Sequence, residues 1–232
     1  MPLAGFADAS AEFEAANKFY AQGKYAEAAA GYEKLLQGGS VSATIYYNLG
    51  NAYFKAGQLG RAIAAYRHAD DQAPRDPDLQ ANLQFARNQV QGPTMTLSWW
   101  QRWLDRLTLN EWSVAAAAGI WVCFLLLAAQ QWRPTLKPVL RNWIIAAGCG
   151  TLLLCATCGA AFQQKQLSQV AIAVARDIAV RQSPLDEAPT AFTVQDGAEL
   201  RVLDRKDDWL QVSTGPRRIG WVQKGQVVVG QG

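Results

Sequence analysis

Apolar and polar positions follow three different rhythms along this chain. Up to about residue 91, small and apolar residues recur at helical spacing between charged ones. From Trp112 to Trp132 there are 21 residues without a charge, and from Asn142 to Gln164 there are 23. Beyond Val170 the pattern changes to short alternating runs separated by turn residues. Each uncharged run is long enough to cross a hydrocarbon core of roughly 30 Å as a helix rising about 1.5 Å per residue. The spacing therefore predicts a helical array, a two-helix transmembrane hairpin (112–132 and 142–164, connector 133–141) and a small all-β module (170–229). Such a hairpin places both flanking parts on the same side of one membrane.

The first region repeats itself. Asn17-Lys18-Phe19-Tyr20 aligns with Asn51-Ala52-Tyr53-Phe54 at an offset of 34 residues, and the register carries Gly23 onto Gly57, Ala28 onto Ala62 and Tyr32 onto Tyr66. Two antiparallel helices per unit explain the pattern. Ala16 and Gly50, like Ala28 and Ala62, permit close approach; Tyr20 and Phe54, like Tyr32 and Tyr66, fill the spaces; the glycines open the turns. The second copy resembles the tetratricopeptide repeat at Tyr46, Leu49, Gly50, Tyr53, Gly57, Ala62, Tyr66, Ala69 and Pro74. The first departs from it at Leu35 and Ser40. Repeats are expected at 11–40 and 41–74. A capping helix follows at 77–91, started by Asp76 and Pro77 and striped by Leu79, Leu83, Ala86 and Val90. Two and a half repeats make a thin solenoid, marginal alone.

The resemblance implies a peptide groove lined by the first helix of each unit. By position it would present Phe13, Asn17, Tyr20, Tyr47, Asn48, Asn51, Phe54 and Lys55. Asn17 and Asn48 match the asparagines of the subfamily that grips a peptide C-terminus, but the cationic positions of that clamp hold Phe13, Asp78 and Asn82. Two readings stand: side-chain amides bonding an extended backbone between aromatic walls, or solvated helix-face residues. His68, the single histidine, falls at a position expected to be exposed and is read as a surface residue.

Between the repeats and the first run, residues 96–110 place Leu97, Trp100, Leu104 and Leu107 on one helical face, with Trp103 beside it and Arg102, Asp105 and Arg106 opposite. This predicts an amphipathic helix at the membrane interface, or one packed on the array. Small residues at Ala146 and Gly150, and at Cys155 and Gly159, are expected to support close helix packing. All four cysteines (Cys123, Cys149, Cys155, Cys158) lie within the apolar runs and are read as packing residues; Cys155-x-x-Cys158 lacks the second ligand pair of a zinc site. Arg133, Lys137 and Arg141 are unopposed by acid in the connector, so the positive-inside rule places it in the cytoplasm and both flanking modules outside. Export needs a signal. Ala7-Asp8-Ala9 resembles the end of one, and 1–10 is read as its remnant, with Met1 a misassigned start or an introduced methionine.

The last region is punctuated by Gln182-Ser183-Pro184, Asp196-Gly197, Lys206-Asp207-Asp208, Gly215-Pro216 and Lys224-Gly225. Close strand spacing over this stretch points to a small barrel. Val180-Arg181-x-x-Pro184, Gly197 before Leu200 and Val202, Trp209-Leu210-Gln211-Val212 and Gly220-Trp221-Val222 resemble the bacterial SH3 (SH3b) domain, which implies binding of peptides or cell-wall peptide stems. Trp209 and Trp221 would supply an aromatic groove there. Trp221 is expected to fill the barrel core; Trp209 is open between core and groove.

Charge completes the picture. The net is −1 over 1–90, +3 over 91–164 and +1 over 165–232, so the basic excess sits at the membrane and no nucleic-acid surface is expected. The order of repeats, cap, tryptophan-rich segment, hairpin and SH3b module resembles BatE of the Bacteroides aerotolerance group. That resemblance implies von Willebrand factor A-domain membrane proteins and a MoxR-type ATPase as partners in stress tolerance or envelope integrity. The function expected is a non-enzymatic membrane scaffold with periplasmic binding modules, no cofactor and no metal; the alternative is a peptidoglycan-binding anchor. Enzymatic chemistry finds no nucleophile–base pair, phosphate loop or metal constellation to stand on.

Overall fold

Turn chemistry sets the helical repeat. In the computed structural model, which describes residues 3–91, 99–104, 106–167, 169–215 and 218–230, α1 (Leu3–Ala21) and α2 (Tyr25–Gln37) form the first pair and α3 (Ala43–Lys55) and α4 (Leu59–Gln72) the second. Gly23 and Gly57 lie at φ +76° and +75°, where a Cβ would be strained. They close the two turns identically: Gly23 N–H donates to Tyr20 O and Lys24 N–H to Phe19 O, as Gly57 does to Phe54 O and Gln58 to Tyr53 O. α5 (Pro77–Gln89) starts at Asp76, whose side chain accepts from the Asp78 and Leu79 amides at 3.0 and 3.2 Å, with Pro77 in the first turn. Its Leu79, Leu83 and Ala86 are buried, and Val90 packs partly buried on the same core.

Close approach explains the small residues. A Cβ on Gly50 would come 2.5 Å from the Tyr66 ring, and one on Gly31 would come 2.9 Å from the Ala16 Cβ. Tyr32, Ile63, Leu79 and Leu83 are almost fully enclosed.

The C-terminal strands are β1 (Val170–Ala173), β2 (Ile178–Arg181), β3 (Thr190–Val194), β4 (Glu199–Lys206), β5 (Trp209–Gly215), β6 (Arg218–Gln223) and β7 (Val227–Gly230). They form one antiparallel sheet in the order β3-β2-β6-β5-β4-β1-β7. β3 and β7 end the order without pairing to each other, so this small SH3-like module is an open sheet and not a closed barrel. β3 shows the alternation of buried and exposed positions only at its C-terminal end. Its Thr-Ala-Phe-Thr-Val is uncharged and rich in strand-forming residues, but only Phe192 and Val194 turn from solvent.

Repeats and sheet belong to one compact unit, and β1 joins them. All four of its residues are buried. Val170 and Ile172 enter the repeat core with Ile63, while Ala171 and Ala173 enter the sheet core with Leu200, Leu210, Val212 and Val222. Successive strand residues point to opposite faces, so a four-residue uncharged strand serves two cores at once.

The second unit spans 96–168. Here α7 (Leu109–Trp132) and α8 (Lys137–Leu167) pair through a short 3-10 turn at Pro134–Leu136. Both are long and apolar enough to cross a membrane: mean hydropathy reaches 2.1 in Leu109–Trp132 and 1.9 in Lys137–Gln164. α8 begins at Lys137, so the second half of the expected connector is already helical. Gly119 permits the closest approach, since a Cβ there would meet the Thr151 hydroxyl at 2.9 Å. Cys123 Sγ lies 3.4 Å from Thr151 Oγ1, and Ser113 Oγ lies 3.7 Å from Cys158 Sγ. The expected small-residue contacts are corrected. Gly150 and Gly159 would meet nothing within 4 Å if given a Cβ, and Ala146 and Cys155 are exposed. Residues 146 and 150 lie about 100° round the helix from 147 and 151, and the latter face was taken by Gly119.

The segment expected as one helix over 96–110 is divided. α6 (Trp99–Leu104) is followed by a turn, and Thr108 caps α7 in a reciprocal capping box with Glu111. Leu104 is buried, and its carbonyl accepts from Trp112 Nε1 at 3.1 Å, with the Trp103 and Trp112 rings 5.3 Å apart. Trp99 and Trp100 remain exposed. Leu97, Asp105 and Pro216 lie outside the described residues.

Candidate functional site: an amide ladder on the first helices

On the first helices, asparagine carboxamides meet tyrosine hydroxyls from the second helices. Tyr32 donates to Asn17 Oδ1 at 2.6 Å, and 34 residues later Tyr66 donates to Asn51 Oδ1 at 2.7 Å. Burial, then Tyr20 and Glu14, pushes the Tyr32 phenol up to about 12. Tyr66 is raised as well, first by burial and then by Tyr47 and Tyr20. Both therefore stay protonated donors at neutral pH. With the amide oxygens engaged, Asn17 and Asn51 present their NH2 groups, the side that bonds a peptide carbonyl.

Asn82 of α5 extends the ladder. Its Nδ2 donates to Tyr47 OH at 2.8 Å and to Asn51 Oδ1 at 3.1 Å. One turn on, the Phe54 and Phe85 rings stand 5.6 Å apart, with Phe85 55% exposed. Tyr47, Asn51 and Phe54 on α3 thus face Asn82 and Phe85 on α5. Tyr20 contacts Tyr25 at a ring separation of 5.3 Å, and Phe13 contacts Tyr32 at 5.9 Å. Asn48 is partly buried and Lys55 exposed, and neither is drawn into the ladder. Phe85 was missed as a groove residue from sequence, and Asn82 was named only as a departure from the clamp. Their spacing matches a first-helix face, a signal visible once the cap is aligned as a third unit.

His68 is not the exposed residue expected. It is partly buried and stacks on Tyr46 at 5.0 Å. Burial holds its pKa below 6.5, with Asp71 opposing and Arg67 assisting. The unfolded histidine then takes a proton first as pH falls. The associated stability is complete above about pH 6.5 and is lost as pH drops through the interval down to the folded pKa. Between pH 7 and 5 the thermal midpoint should fall further in the wild type than in His68→Gln. Parallel profiles for the two would rule out this histidine as the source.

A second polar cluster joins α4 and α5 to the sheet. α4 receives no side-chain cap from Gln58. Instead Asp196, in the turn before β4, accepts from the Leu59 and Gly60 amides at 3.1 and 3.0 Å. Glu199 Oε1 accepts from Arg87 Nε and Nη2 at 3.0 and 2.9 Å, and Arg67 Nη1 lies 3.5 Å away. The backbones nearly touch: a Cβ on Gly60 would fall 1.9 Å from Ala173 O. Gly197, at φ +84°, fits against Val90, Ile63 and Leu59.

Trp209 and Trp221 lie on the outer face of the sheet. Trp209 opposes Gln223 and Trp221 opposes Gln211 in the β5–β6 register, which makes the two indoles diagonal neighbours within mutual reach. The intervening Leu210, Val212 and Val222 form the core. The expectation that Trp221 fills that core is therefore corrected, because its strand parity is that of Trp209. Both tryptophans are partly buried. Gln223 Nε2 donates to Asp186 at 2.6 Å, and Arg181, paired with Trp221, donates to Ala188 O at 2.7 Å. Among the described residues no group of His, Cys, Asp and Glu is placed to hold a metal ion.

A sequence profile of the tetratricopeptide repeat matches residues 6–77. No curated protein matches the chain. The chain thus carries a tetratricopeptide-repeat array, of a family that typically serves as a non-catalytic scaffold for protein partners.

Proposed function

We propose that this chain is a membrane-anchored scaffold whose groove holds extended segments of partner proteins. The observation that carries the reading is the amide ladder. Asn17 and Asn51 recur on successive first helices with their oxygens occupied by tyrosine hydroxyls, which leaves their amide donors for a ligand, while Asn82 of α5 spends its NH2 on Tyr47 and Asn51 and braces the row. Tyr20, Tyr47 and Phe54, joined by Phe85, supply apolar walls; Asn48 and Lys55 would act at the margins. α7 and α8 form the anchor, and the basic residues Arg133, Lys137 and Arg141 favour a cytoplasmic connector with repeats and sheet outside. By its resemblance to BatE, the partners are von Willebrand A-domain membrane proteins working with a MoxR-type ATPase, in envelope integrity or stress tolerance.

A photo-crosslinking side chain at position 85 of the full chain, activated in intact membranes, should capture a von Willebrand A-domain protein. Capture should be reduced by Asn51→Ala with Asn82→Ala. Recovery of other proteins alone would remove the Bat assignment, and no dependence on the asparagines would remove the groove. A reporter inserted after Lys137 should be active only in the cytoplasm, and the reverse result inverts the topology.

A second reading is favoured by the tryptophan pair. Trp209 and Trp221 on an outer sheet face offer stacking surfaces for a cell-wall peptide stem. The full chain in detergent would then be retained on purified peptidoglycan and released by Trp209→Ala with Trp221→Ala. Equal retention of the variant excludes it.

A further inference from the structure

Where the α3–α4 turn meets the turn after β1 there is a cleft of about 430 Å³, within the range of small-ligand sites. Two guanidinium groups line it from opposite modules, Arg61 from the first turn of α4 and Arg176 from the segment between β1 and β2, together with Gln58 and the backbone of Ala56 and Gly57. Asp196 is the carboxylate of the lining, and both of its oxygens are occupied by the Leu59 and Gly60 amides. It serves as a cap and keeps its charge, so two guanidinium groups against one carboxylate leave the cleft wall net positive. Among the described residues neither arginine enters an ion pair. Arg61 lies over the Tyr53 ring at 5.7 Å, and the Tyr53 hydroxyl donates to Glu33. Arg61 is also a side-chain hydrogen-bond partner of Tyr53, and its five N–H donors exceed what that one hydroxyl can take.

We infer that this cleft binds a carboxylate, carried by an acidic side chain or chain end of a peptide, between Arg61 and Arg176. A planar guanidinium fork matches a planar carboxylate in two parallel hydrogen bonds. The volume admits a residue or two and excludes a folded domain. The backbone N–H groups of Ala56, Gly57 and Gln58 are spent within the turn, so the amide partner a peptide, unlike a bare ion, would use is the Gln58 side chain. Because one arginine belongs to the repeats and the other to the sheet, the ligand bridges the two modules and tightens their docking. The site is separate from the asparagine ladder and goes beyond the groove reading.

The test uses the full chain in a neutral maltoside detergent with fluorescein-labelled pentaglutamate as probe, read by anisotropy, and labelled pentaglutamine as control. Pentaglutamate should bind and pentaglutamine should not. Affinity should fall about threefold in Arg61→Gln or Arg176→Gln and at least tenfold in the double variant, as expected for loss of charge-assisted bonds. The Arg→Lys double variant should recover part of the binding, and the unliganded thermal midpoint should stay that of the wild type. Unchanged pentaglutamate affinity in the Gln double variant would overturn the assignment. So would equal binding of pentaglutamine, or full displacement of the peptide by equimolar inorganic phosphate, which would make the cleft a general anion site.

Discussion

Gly60→Ala is expected to destabilise the repeat–sheet unit, although the same change in an exposed helix interior stabilises by about 1 kcal/mol. The added Cβ would stand 1.9 Å from Ala173 O, and a backbone oxygen in a paired strand cannot rotate away. Overpacking of this kind costs about 1–3 kcal/mol. If the strands retreat, Asp196 also leaves the α4 amides, and loss of a helix cap costs about 0.5–2 kcal/mol. Hydrogen exchange of the intact protein is the direct measurement. Amides of β1, β7 and the first turn of α4 should exchange faster in the variant, together with a lower thermal midpoint. Wild-type protection in both strands would show that the modules do not depend on this contact. Asp196→Ala, which adds no atoms, should show the cap contribution alone.

Tyr66→Ala should be the most damaging single change within the repeats. Removing a buried aromatic ring costs about 3–5 kcal/mol, a large share of the 5–15 kcal/mol that holds a typical domain together. Tyr66 is 2% exposed and seated on Gly50, and its hydroxyl holds Asn51. Tyr66→Phe separates the two roles: it keeps the ring and should cost only about 0.5–1.5 kcal/mol, while leaving the Asn51 carboxamide held by Asn82 alone. The denaturation midpoint should fall sharply for Ala and slightly for Phe at similar m, and photo-capture at position 85 should weaken in the Phe variant. A Phe variant indistinguishable from wild type in both assays would detach the hydroxyl from the groove.

The repeat was legible because each structural need recurs after 34 residues. Gly23 and Gly57 meet the same left-handed turn, Tyr32 and Tyr66 the same cavity, Asn17 and Asn51 the same hydroxyl. The apolar helices were legible because 21 and 23 uncharged residues admit few other readings. Sheet parity was readable in principle too: Trp209 and Trp221 are 12 positions apart, but which face each takes depends on the β5–β6 register, and a shift of one residue would have reversed it. β3 escaped because Thr190, Ala191 and Thr193 face solvent and blur the alternation.

The contacts between distant segments were not legible. Asp196 lies 136 residues from Gly60, and Glu199 lies 112 from Arg87. As isolated residues, an aspartate before a glycine reads as a turn and a glycine at the start of a helix reads as a weak former. Only their juxtaposition makes one a cap and the other a docking point. The thin solenoid gains a partner in the same way, since β1 and β7 cover the part of α4 that α5 leaves open.

What the amino-acid order determined by itself, then, is local: helix against strand, the period of the repeat, the turns, and two runs apolar enough for a membrane. These follow from backbone preference and from side-chain spacing within a few residues. Tertiary structure decided which faces meet. It put Gly119 rather than Gly150 at the hairpin contact, turned both tryptophans outward, and placed the sheet on α4. Those choices depend on shape and charge complementarity between surfaces whose residues lie far apart in the chain, and no short-range pattern encodes them.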